Sequence, residues 1–281
     1  MTIKQNIILD GLHGKPILTD VYLDENSEKK PIVIFVHGFK GFKDWGVFDL
    51  VAQYFANSGF VFIKFNLSHN GTTVDQPSDF ADLEAFSNNT FSKELDDLAV
   101  VIDWACKDHP YVPSNEKSID DIYLIGHSRG GGIAILKANE DLRVRKLATW
   151  SSVNEFGKFW DDDVMKKWKE DGVMIVKNAR TKQDMPMKYS LYDDYFANID
   201  RLYIPAAVKS FTRPFLLIHG ENDEAVNVEI AHEMKSWNNG INMKLMPGEG
   251  HTFSAKHPWD SEDLPKAYED VVKTTVDFFR E

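Results

Sequence analysis

Four short stretches of this chain are apolar almost without interruption: Pro31–Val36, Phe60–Phe65, Ile122–Ile125 and Pro214–Ile218. A strand that alternates apolar and polar residues has one wet face, whereas a continuous apolar run is buried on both faces and belongs in a parallel sheet. Segments of helical character stand between these runs, at 47–58, 92–107, 131–138 and 227–237, with a last one at 264–280. Further strands are expected at Lys146–Trp150 and Asn242–Met246, and an antiparallel pair at Asn6–Leu9 and Ile17–Leu23 across the turn Gly11–Gly14. Strand and helix alternating in this way predict an α/β fold, a mostly parallel sheet flanked by helices on both faces.

The 281 residues are compatible with one large α/β domain with an insertion or with two small domains. The insertion is expected at 153–211, where the rhythm breaks, so that 1–152 and 212–281 form the core. Asp161–Asp163 followed by Lys166, Lys167 and Lys169 puts acid before base along a helix, the order its dipole favours. Val173–Val176 and Met185–Met187 suggest a hairpin. The segment is too long for a simple connector and reads as a cap or lid. Its aromatic residues include Phe156, Phe159, Trp160, Trp168, Tyr189, Tyr192, Tyr195 and Phe196. Most are expected to form the cap's own core, with Trp160, Trp168, Tyr189 and Tyr192 as candidates to line a pocket.

A net charge of −12 leaves no basic surplus to neutralise a nucleic acid. The lone Cys106 excludes an internal disulfide and, within an apolar stretch, reads as a small buried hydrophobe. No leader peptide and no apolar run of about 18 residues is visible, so a cytoplasmic protein without a membrane span is expected. No group of His, Cys, Asp and Glu has metal-ligand spacing, and no phosphate-binding glycine loop follows a strand; neither metal nor cofactor is expected.

Gly126-His127-Ser128-Arg129-Gly130 lies directly between the run Ile122–Ile125 and a helical segment. A serine in this pattern sits on a strained strand-to-helix turn that lifts its hydroxyl clear of the sheet, while the flanking glycines leave room for backbone. His37-Gly38-Phe39-Lys40-Gly41 follows the first buried strand and is the expected source of an oxyanion donor, the Phe39 amide, beside that of Arg129. Two later strands end in His219-Gly220-Glu221-Asn222-Asp223-Glu224 and Pro247-Gly248-Glu249-Gly250-His251. Serine needs a base, and the base needs a carboxylate to hold its tautomer. His251 is better placed than His232, inside a helix, or His257, on a polar loop. Asp223 is the preferred acid, with Glu221 and Glu224 as alternatives. His69 and His127 read as packing or turn residues, Asp44 as a helix cap, and the Arg129 side chain is left open as a contact for a substrate carboxylate.

These motifs, in the order Ser128, Asp223, His251, resemble those of the α/β-hydrolase superfamily over nearly the whole chain apart from the insertion. Within it the sequence is similar to bacterial dienelactone-hydrolase-like, feruloyl-esterase-like and prolyl-oligopeptidase-like hydrolases. Dienelactone hydrolases use a cysteine where Ser128 stands. The segment ahead of Pro31 is too short for the propeller of prolyl oligopeptidases. The resemblance implies a serine carboxylesterase for esters of small or aromatic acids, working through an acyl-enzyme. An exopeptidase or amidase on the same residues, and a non-catalytic small-molecule binder, are the alternatives. Oligomeric state is not legible.

Overall fold

The computed structural model describes residues 1–281 except for the side chain of Phe159. The buried runs become the centre of an eight-stranded sheet. Its strands are β1 (Thr2–Asp10), β2 (Pro16–Leu23), β3 (Lys30–Val36), β4 (Val61–Asn66), β5 (Lys117–His127), β6 (Val144–Trp150), β9 (Phe215–Gly220) and β10 (Ile241–Met246), in the order β1-β2-β4-β3-β5-β6-β9-β10. β1 and β2 are antiparallel to their neighbours and all other pairings are parallel. The all-apolar β3 is fully covered because helices close both faces. On one side pack α1 (Phe48–Asn57) and α10 (Lys266–Arg280); on the other pack α3 (Phe91–Cys106), α4 (Arg129–Glu140) and α9 (Glu229–Trp237).

β3, β5, β9 and β10 run in the same direction, so their carboxyl ends, and the loops that follow them, meet along one edge. That edge, at the crossover between β3 and β5, is where α/β sheets place ligands.

Between β6 and β9 the chain leaves the sheet. This segment carries α5 (Asp162–Asp171), the separate antiparallel hairpin β7 (Val173–Lys177) and β8 (Asp184–Lys188), and α6 (Ser190–Ala197), α7 (Ile199–Leu202) and α8 (Ile204–Ser210). α5 has the expected acid-first charge order, with Asp161 capping it by accepting from the Val164 amide at 2.8 Å. The three helices after β8 had no clear signal, because short helices packed on neighbours carry little periodicity of their own. The same holds for the five-residue α2 (Leu83–Ser87).

Two sequence expectations are corrected. Cys106 is half-buried at the end of α3 rather than enclosed. Asp44 caps no helix: α1 begins after Val47 without a side-chain cap. Asp44 instead joins a buried ion network, in which Lys43 reaches Asp20 and Asp44 at 2.7 Å each and Lys64 reaches Asp44 at 2.5 Å, Asp49 at 2.6 Å and Asp20 at 3.1 Å. The three carboxylates converge as metal ligands would, but two buried ammonium groups already occupy the space between them. Burial alone would pull the Lys64 ammonium down; Asp44 and Asp20, with smaller help from its other neighbours, hold it above its ordinary value.

Removing one member of a buried ion cluster leaves a charge without compensation. Lys64→Met is expected to cost about 3–5 kcal/mol, read as a shift of the urea midpoint. Removal of the partly exposed Lys244–Asp270 pair is expected to cost about 1 kcal/mol or less.

Candidate active site

Ser128 stands between β5 and α4 at φ +56°, ψ −123°, a conformation that side-chain-bearing residues avoid. The turn survives because glycine permits two close approaches. A Cβ at Gly126 would lie 2.3 Å from the Gly130 carbonyl oxygen, and one at Gly130 would lie 2.3 Å from that of His37. The Ser128 amide is tied to the Trp150 carbonyl at 2.9 Å, and its own carbonyl accepts from Gly131 at 2.9 Å. The strained residue is therefore held from both adjoining elements.

The acid loop and the histidine loop are clipped to each other and to this turn. The Asn222 amide donates to the Glu249 carbonyl at 2.8 Å, and His127 Nε2 donates to the His251 carbonyl at 3.0 Å. Asp223 is enclosed, whereas Glu221 and Glu224 are exposed. Asp223 Oδ2 lies 2.8 Å from His251 Nδ1, and Oδ1 accepts from the amides of Ala225 at 2.9 Å and Val226 at 2.8 Å. Burial alone would raise the Asp223 carboxyl, but hydrogen bonds from His219 and His251, with the Val226 amide, hold it well below the usual carboxylate range. It stays an anion facing His251. Nδ1–H of His251 is then donated to Asp223, which leaves Nε2 as the basic nitrogen.

The backbone N–H groups of Phe39 and Arg129 donate to no protein acceptor among the described residues. Both residues line a cavity with Ser128 and His251. That cavity, of about 470 Å³, is walled mainly by Phe91, Val153, Phe156, Trp160, Met187 and Leu191. A second, of about 440 Å³, shares Phe39, Lys40, Ser128 and His251 and is otherwise bounded by Trp45 and Phe48 and by the polar residues His127, Asn178, Arg180 and Thr252. No hydrogen bond joins Ser128 to His251 among the described residues; such bonds often tighten only around a substrate.

A family model described as the prolyl oligopeptidase family matches residues 46–272. The chain belongs to the prolyl oligopeptidase family. Its fold is that of the α/β hydrolases. Est1E from Butyrivibrio proteoclasticus superposes with a TM-score of 0.70 at 19% identity, over 99% of this chain and 98% of that one. The same protein with ferulic acid bound gives 0.72 at 21% identity, over 98% of each chain. A monoacylglycerol lipase from Paleococcus ferrophilus gives 0.66 at 13% identity, over 94% and 98%. No curated protein matches.

Of the four aromatic residues expected to line a pocket in this family member, Trp160 does so. Trp168, Tyr189 and Tyr192 are corrected: none of them borders either cavity over Ser128. Trp168 is enclosed and donates its indole N–H to the Met187 carbonyl at 2.8 Å, while Tyr189 and Tyr192 stack on each other at 4.9 Å. They form the insertion's own small core. The apolar lining instead draws on Phe91 from α3 and on Met174, Val176 and Met187 from the hairpin, whose alternation is the signal that was available. The Arg129 side chain, left open as a substrate contact, already has a carboxylate partner. The guanidinium is paired with buried Glu94 and lies 4.5 Å above the Phe39 ring. His257 accepts from the Gly46 amide at 2.8 Å, and His69 is buried against Ser68.

Two buried histidines of the site are held neutral. Burial, aided by the neighbouring His251, lowers His127 to about 3; burial lowers His37 to about 4. A histidine whose folded pKa lies below its unfolded value contributes stability that is complete above about pH 6.5 and is lost as pH falls. The melting temperature is expected to fall between pH 6.5 and pH 4, by up to about 1.4 kcal/mol of stability per pH unit for each such group. His127→Asn, which keeps a donor for the His251 carbonyl, should make that slope shallower in melting curves taken across the range.

Proposed function

We propose that the protein is a serine carboxylesterase for small-molecule esters with an apolar or aromatic acyl group. The observation that carries this reading is the convergence of an anionic, enclosed Asp223 2.8 Å from His251, a serine on a strained turn, and an apolar cavity opening onto both. The cavity is of the size that takes small ligands. That a structural neighbour binds ferulic acid is in keeping with an aromatic acyl group.

In this mechanism His251 Nε2 takes the proton of Ser128 as Oγ adds to the ester carbonyl. Asp223 stabilises the imidazolium, and the Phe39 and Arg129 amides receive the oxyanion. The C–O bond to the alcohol then breaks, with the proton passing from His251 to the leaving oxygen. Water repeats the sequence to release the acid and restore Ser128. The segment 153–211 acts as a cap that walls the acyl side. With one cysteine and no helix long and apolar enough to cross a membrane, the reading includes a cytoplasmic enzyme.

The family match favours a second reading, cleavage of an amide or peptide bond by the same residues. Matched phenyl esters and anilides of hexanoic and cinnamic acids separate the two. The ester reading predicts turnover of the esters well above that of the anilides. Ser128→Ala is expected to abolish it, and Asp223→Asn to lower kcat by on the order of ten-thousand-fold. Ester turnover that survives Ser128→Ala contradicts the mechanism.

A further inference from the structure

The two cavities that meet at Ser128 share the cation Lys40 and differ in the second cation that lines each. The apolar one adds Arg129, which buried Glu94 already satisfies. The polar one is lined by Lys40 and Arg180, with no carboxylate in its lining. In a chain of net charge −12 this is a local reversal of sign beside the candidate nucleophile.

Neither cation is used up by the protein. The half-buried Lys40 ammonium donates to a neutral partner, the Lys177 carbonyl, at 3.1 Å. Burial lowers its pKa, a cost that a bound anion would offset. Arg180 donates to the Ser78 carbonyl at 3.4 Å and lies 3.7 Å from Asp79, a long pair with a largely exposed partner, worth little in water. The loop that carries it is nevertheless well held: Asn178, itself buried, accepts from the Arg180 amide at 3.0 Å. His251 borders both cavities, but Thr252 and His127, which flank it, line this one alone, and the leaving oxygen collects its proton from His251.

From this arrangement we infer that the polar cavity receives an alcohol bearing a carboxylate, so that the preferred ester joins an apolar acyl group to an anionic leaving group. The inference rests on the esterase reading and specifies its substrate class. The covalent step is unchanged: the bond from Ser128 Oγ to the acyl carbon forms, the bond to the alcohol oxygen breaks, and that oxygen takes the proton from His251.

The test compares the hexanoate ester of para-hydroxybenzoic acid with that of its methyl ester, each rate divided by its rate with hydroxide. At low salt kcat/KM is expected to be about tenfold higher for the acid-bearing ester. The ratio should shrink in molar NaCl. It should fall towards one in the variant Lys40→Met/Arg180→Met, whose melting temperature is taken alongside. Phenyl hexanoate and monophenyl adipate provide the reversed pair, with the charge on the acyl side. A wild-type ratio at or below one, a ratio unchanged in the double variant, or a preference confined to the adipate overturns the inference while leaving the esterase reading intact. If no ester is cleaved in a Ser128-dependent way, the esterase reading fails and this inference with it.

Discussion

The backbone of Ser128 is held at a positive φ that costs on the order of 1–3 kcal/mol and is paid for by its surroundings. Much else in the structure follows from sustaining that one conformation. β5 and α4 can join so sharply because Gly126 and Gly130 admit backbone atoms at distances no side chain allows. The loop after β3 closes down on the same turn, with the His37 carbonyl against Gly130. The Trp150 carbonyl at the end of β6 receives the Ser128 amide, and the His127 ring grips the histidine loop from the turn's other side. Parallel strand order supplies the rest, since β3, β5, β9 and β10 bring their carboxyl ends to one edge.

The parts legible in the sequence are those imposed by strong local physics. Continuous apolar runs announced β3, β4, β5 and β9, and the glycine spacing announced the strained turn. The preference for Asp223 over Glu221 and Glu224 agrees with burial, because the two glutamates point into water. What the sequence concealed depends on tertiary partners. Trp168, Tyr189 and Tyr192 are aromatic whether they face a ligand or one another, and packing of the insertion decided for the latter. Asp44 looked like a cap because helix caps are local, whereas its partner Lys64 stands twenty residues away on β4. Short α6, α7 and α8 are sustained by the surfaces they cover rather than by their own periodicity.

Charge is distributed with a consistent logic. Several buried cations are neutralised by carboxylates: Lys43 and Lys64 by three aspartates, Lys30 by Glu116 at 2.6 Å, Arg129 by Glu94. Beside the candidate nucleophile the enclosed anion is Asp223, and it is spent on holding His251 in the tautomer that frees Nε2. His127, which packs on the His251 ring, stays neutral through burial, and the charged group in hydrogen-bond contact with His251 is the carboxylate of Asp223.

The central claim is that Ser128 is an activated nucleophile, and labelling with a fluorophosphonate tests it most directly, because the probe asks nothing about substrate. The account predicts one adduct per chain, mapped by mass spectrometry to Ser128 and absent when His251 is replaced by alanine. A folded protein that takes up no label, or takes it up at another serine, would contradict it.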